Sequence, residues 1–109
     1  MANTQTAQPG QSGIATANEV DQHGAPFTVS DPDALIWSSS DSSNVAVSRK
    51  GDGTPTAVVT VSPTATPGAY TITFSDPAAP SIPITAGTVT VVAAAPVATS
   101  GSVDLGPFA

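Results

Sequence analysis

Few residues in this chain could carry chemistry. There is one His (His23), one Glu (Glu19) and no Cys. A thiolate zinc site, a disulfide scaffold and a cysteine nucleophile are therefore excluded. His23 is the single His base available to a Ser/His/Asp arrangement. It sits in Gln22-His23-Gly24, which reads as a turn, and no Gly-x-Ser-x-Gly elbow accompanies the many serines. An exposed turn histidine is the plainer reading, and no catalytic residue is assigned. Asp31, Asp33, Asp41 and Asp52 could offer loop oxygens to Ca²⁺. They lack an Asp-x-Asp-x-Asp-Gly run, and a turn aspartate more often bonds its own backbone. Lys50-Gly51-Asp52 resembles a short integrin-binding tripeptide, but a Gly-Asp hairpin tip is the commoner use. No metal or cofactor is expected.

The charge balance narrows the partners. Two Lys plus Arg stand against eight Asp plus Glu, a formal net charge of −6. Nucleic-acid binding needs clustered cations, and Arg49 and Lys50 are the whole supply. Docking on anionic lipid meets the same deficit. No apolar run is long enough to span a membrane, so no membrane insertion is expected. Met1 to Gly13 has neither a basic start nor an apolar stretch, so it does not read as a secretory signal.

The elements that must hold any site are strands. Val, Ile and Thr make up 32 of 109 residues, and β-branched side chains fit a pleated surface. Good helix formers other than Ala are scarce. Tyr70, Ile72 and Phe74 alternate with Thr71 and Thr73, the cleanest period-2 stretch. Ala57, Val59 and Val61 line one face of another strand, and Val45 and Val47 one face of a shorter one. Leu35 and Trp37 share a face, with Trp37 as the central core aromatic. Ile14 to Asp21 reads as a weak first strand, and Phe27 to Ser30 as a half-buried one. Thr88 to Ala93 reads as the last. Pro83 demotes Ile82–Ile84 to an edge strand or the start of one. Arg49 to Gly53 is a hairpin loop by its glycines.

Seven or eight short strands with turns every 8 to 12 residues predict an all-β fold. The expected architecture is an immunoglobulin-like antiparallel β-sandwich. Residues 14–95 form the sandwich in this reading. Residues 1–13, rich in Gln, Thr and Asn, are expected to be a flexible N-terminal arm. Residues 96–109 are a C-terminal tail or last strand. Partner-binding candidates lie at the two ends: Met1, Ala2, Asn3, Thr4 and Gln5 in the arm, and Val103, Leu105 and Phe108 in the tail. Apolar side chains in a loose tail call for cover.

The run Trp37-Ser38-Ser39-Ser40-Asp41 with Val45-Ala46-Val47 resembles the bacterial immunoglobulin-like (Big) domains. Gly68-Ala69-Tyr70-Thr71-Ile72-Thr73 is similar to their Gly-x-Ala-x-Ile-Thr strand, and Gly87 to Val92 to their closing strand. The resemblance covers about Val20 to Ala93. Pro63 to Pro67 departs from the Gly-rich step of that pattern. Such domains occur in tandem in bacterial surface adhesins and on tailed-phage particles. The resemblance implies a non-enzymatic virion protein decorating a phage capsid, made in the host cytoplasm without a signal peptide. Its expected partners are the major capsid protein, further copies of itself (a trimer on the capsid) and, weakly, host-surface glycans. An exported adhesin module and a phage tail domain are the alternatives. A carbohydrate-binding accessory domain is a third class, set back because the few aromatics are needed in the core.

Overall fold

A computed structural model describes residues 3–94, 96 and 98–108. Among these residues the chain forms nine strands and one short 3-10 turn. The strands are β1 (Thr4–Ala7), β2 (Ser12–Thr16), β3 (Glu19–Val20), β4 (Pro26–Phe27), β5 (Ile36–Ser39), β6 (Val45–Arg49), β7 (Thr56–Val61), β8 (Gly68–Ser75) and β9 (Gly87–Val91). The turn spans Pro32–Ala34, with proline at the helical start, where its fixed φ is tolerated.

One sheet has the order β1-β9-β8-β5 and the other β2-β7-β6, while β3 and β4 pair as a small ribbon. The chain crosses between sheets after β1, before β5, after β5 and after β7. This is an immunoglobulin-like sandwich. Two of its marks are visible. Trp37 lies on β5, the strand that carries the core tryptophan in such folds. Tyr70, near the start of β8, donates its hydroxyl hydrogen to the Thr66 carbonyl at 2.6 Å. That bond ties the crossing from β7 to the strand it feeds.

The alternation seen in the sequence becomes the core. Val45, Val59, Val61, Ala65, Tyr70, Ile72 and Val91 form one buried cluster, and Ala17, Val29 and Leu35 a second. Trp37 packs against both and sits 5.5 Å from the Phe74 ring centre, tilted by 44°. Cross-strand register carries the pattern through: Val45 faces Val61 and Val47 faces Val59, while Tyr70 faces Val89.

The N-terminal arm is not an arm over its described part. Thr4–Ala7 pairs in parallel with Thr88–Val91, and Ser12 and Gly13 belong to β2. Met1 and Ala2 lie outside the described residues. The sandwich therefore runs from Thr4 to Val91 rather than from residue 14 to 95. The physical reason is that an edge strand needs little apolar burial of its own. Its backbone bonds to β9 and one inward methyl, Ala7, hold it.

Other boundaries shift too. Ile14 to Asp21 divides into β2 and β3. Phe27 is exposed, and only Val29 of that segment enters the core. Ile82 and Ile84 form no strand, because Pro80 and Pro83 remove ladder donors from a short loop. The last strand ends at Val91, two residues early. Beyond it, residues 98–108 are extended and exposed, with no strand. The molecule measures 85 × 25 × 19 Å, and the tail supplies the long dimension.

Candidate interaction site

Three of the aspartates offered as calcium ligands have carboxylates engaged by nearby backbone and hydroxyl donors. Asp41 accepts from the Ser43 hydroxyl at 2.6 Å, the Ser43 amide at 3.1 Å and the Asn44 side-chain amide at 2.8 Å. These donors, the Ser43 hydroxyl foremost, hold the Asp41 carboxyl below the usual carboxylate range. Asp52 accepts from the Thr54 hydroxyl and from its amide, which lowers it likewise, with Lys50 at 3.7 Å adding a smaller pull. Asp33 accepts from the Gly53 amide at 3.1 Å. Arg49 donates to the Asp33 carbonyl, so the cationic spot braces the 3-10 turn. Asp31 lies just ahead of that turn, and its carbonyl accepts from the Ala34 amide at 3.0 Å. His23 is exposed in its predicted turn, where its backbone amide donates to Asp21 at 2.8 Å. Among the described residues no group of three His, Cys, Asp or Glu converges.

One polar pair was invisible in the sequence. Glu19 and Asp76 are both buried, at 8% and 6% exposure. Burial first, then the hydrogen bond and the negative charge of Asp76, push the Glu19 carboxyl above its ordinary value. Asp76 also accepts from the Ala78 amide at 2.9 Å. Glu19 Oε2 has no partner among the described residues. Glu19 heads β3 and Asp76 follows β8, 57 positions on, so sequence spacing gave no hint of their meeting.

The candidate surface is uncharged, with an apolar floor and largely polar rims. β1 and β2 are the free edges of the two sheets on one side of the sandwich. There a cleft of about 1080 Å³ opens between them. Its floor is the core itself: Trp37, Val59, Val61, Ile72 and Val89. Its rims include Gln5 and Ala7 of β1, Ser12 to Thr16 of β2, and the loop from Pro83 to Ala86. The Trp37 indole N–H is buried there without an acceptor among the described residues, a costly state for a strong donor.

The sequence-predicted binding residues divide between two environments. Asn3, Thr4 and Gln5 are exposed on or beside β1, and Asn3 and Gln5 line the cleft. The Asn3 carbonyl accepts from the Thr88 amide at 2.8 Å. Val103, Leu105 and Phe108 are 84%, 77% and 88% exposed. The structure does not bring the two groups together. The cleft was missed because strand periodicity reports which face of a strand is apolar, not whether the facing sheet closes over it.

No family model matches the chain, and no curated protein matches it. Among solved structures it is similar to the seventh ScaB type I cohesin from Pseudobacteroides cellulosolvens, at 15% identity and a TM-score of 0.38. The alignment covers 93% of this chain and 95% of that one. A likeness of that size bears on neither the site nor the partner.

Proposed function

We propose that this chain is a non-enzymatic structural module that attaches to a larger protein assembly. In its most concrete form it is a Big-like decoration protein on the surface of a tailed-bacteriophage capsid, bound to the major capsid protein lattice. The observation that supports this reading is the C-terminal segment. Val103, Leu105 and Phe108 stand exposed on a chain whose sandwich is already complete. Exposed apolar groups gathered in one segment mark a docking element more often than chance exposure. The polar chemistry is meanwhile spent on turns and braces.

In this reading the sandwich is a rigid block and the tail ties it to its surroundings. A docking position that exists only on the assembled shell stabilises that shell by mass action. The surface, acidic and rich in Ser and Thr, keeps the particle soluble and is available for weak glycan contact. The second reading is an Ig-like module of an exported surface adhesin or of a phage tail, which the Trp37 to Val47 resemblance accommodates equally.

The test is quantitative mass spectrometry on purified particles from the genome that encodes the chain. A fixed copy ratio close to that of the major capsid protein supports decoration. A handful of copies moves the chain to the tail. Absence from particles sinks the virion reading and favours the adhesin module.

A further inference from the structure

We infer that the tail of one copy, Val103 to Phe108, seats in the inter-sheet cleft of a second copy as an added strand. The inference rests on the tail being an attachment element and names its first partner. Three observations carry it.

The first is chemical match. No residue lining the cleft is charged, and the tail carries a single charge at Asp104. Copies of a chain at net charge −6 repel one another across most of their surfaces. Tail and cleft are where two copies meet at the lowest electrostatic cost. Val103 and Leu105 are two apart, the spacing that points both to one face of a strand. The partly exposed Trp37 and Val89 of the floor and the exposed Ile14 of the rim fit that face.

The second is backbone supply. β1 and β2 are both edge strands, and they flank the cleft. Each offers a row of unpaired amides and carbonyls, the template for adding a strand from another chain. The orphaned Trp37 N–H adds a donor at the floor.

The third is reach and area. From Val92 to Phe108 an extended chain spans roughly 55 Å, and the molecule is 85 Å long against a 25 × 19 Å cross-section. The tail projects well beyond its own sandwich, and no hydrogen bond among the described residues joins 98–108 to it. A seated strand with its groove, reciprocated between two copies, reaches the ~1,000 Å² that stable interfaces need.

The experiment compares three proteins by light scattering across a concentration series: the full chain, a chain ending at Val97, and the double variant Leu105→Asp with Phe108→Asp. Among the described residues 98–108 make no hydrogen bond to the sandwich and are exposed, so both altered proteins are expected to keep the fold. A peptide of residues 98–109 is then added to the shortened chain while the emission of Trp37, the sole tryptophan, is recorded. The expected result is concentration-dependent association of the full chain, monomers for both altered proteins, and a saturable shift of Trp37 emission with peptide. Association that survives in the altered proteins overturns the inference, as does a peptide that leaves Trp37 unmoved. A full chain that stays monomeric, yet changes Trp37 emission when its tail is removed, also overturns it: the tail then covers its own cleft. Particle composition separates this from the functional reading. A chain present on capsids but unable to self-associate defeats only the inference. One that self-associates but is absent from capsids defeats only the reading.

Discussion

The two flanks of the sandwich are built by opposite means. On the β5–β6 flank, Asn44 acts as a staple. Its side-chain amide donates to Asp41 at 2.8 Å, its side-chain oxygen accepts from the Thr66 amide at 2.9 Å, and its carbonyl accepts from the Ser62 amide at 2.8 Å. One residue thereby fixes the crossing after β5 to the crossing after β7, and the Tyr70 bond closes the corner. Val45, fully buried, lies beneath. On the β1–β2 flank the tie is a single turn: the Gln11 side-chain oxygen accepts from the Gln8 amide at 2.8 Å and its carbonyl from the Val61 amide at 2.8 Å, and Trp37 is left half-buried. The difference teaches that a staple joining two long crossings, as at Asn44, lies over fully buried Val45, whereas a turn joining neighbouring strands, as at Gln11, leaves Trp37 partly uncovered. A flank left unsealed in a chain with so few large apolar residues is a place for something else to bind.

The largest loss should come from the smaller core cluster beneath the start of β5. Leu35→Ala, just ahead of β5, removes a fully buried side chain and should cost about 2–5 kcal/mol in a denaturant titration. Ile14→Ala, on the open flank and 59% exposed, should stay within about 0.5 kcal/mol. Equal losses would mean that the open flank is sealed in solution. Tyr70→Phe comes next, with an expected loss of about 0.5–1.5 kcal/mol from the hydrogen bond to Thr66. No change in denaturation midpoint would show that the corner holds without it.

Two carboxyls of the sandwich should also answer to pH with opposite signs. The Asp41 carboxyl is lowered in the fold, so its contribution is present above the unfolded value near 3.8 and fades as pH falls through the lower folded value. The Glu19 carboxyl is raised. Its contribution is complete below the unfolded value near 4.5 and is lost as pH rises through the higher folded value. Glu19→Gln should therefore melt higher than the parent at neutral pH and flatten the difference between neutral and mildly acidic buffer. Asp41→Asn should change only the acid limb. A Glu19→Gln protein that melts lower than its parent at neutral pH would show that the ionised pair is compensated. The smallest effect on stability belongs to the tail: ending the chain at Val97 should leave the melting temperature unmoved while abolishing self-association.

Much of the architecture was legible in the residues. Tyr70, Ile72 and Phe74 predicted β8, and Ala57, Val59 and Val61 predicted β7, because strict alternation of apolar and polar side chains has few other solutions. The glycine-marked hairpin at Gly51 and Gly53 formed as expected, with φ of +72° and +79°. Thr4–Ala7 was misread because hydropathy cannot see a strand held mainly by backbone bonds, with one methyl, Ala7, turned inward. Val103, Leu105 and Phe108 could be singled out by type, but their exposure could not. The Glu19–Asp76 pair and the cleft depend on long-range closure between sheets, for which one sequence holds no local signal.

The parallel pairing of β1 with β9 has a mechanical consequence. Because Thr4 lies beside Thr88 and Ala7 beside Val91, the two chain ends leave from opposite ends of the sandwich. Tension between them pulls the two strands past each other along their length. The hydrogen bonds of that pair are then loaded together in shear instead of opening one after another. A module anchored at one end and tugged at the other is strained along its most resistant direction.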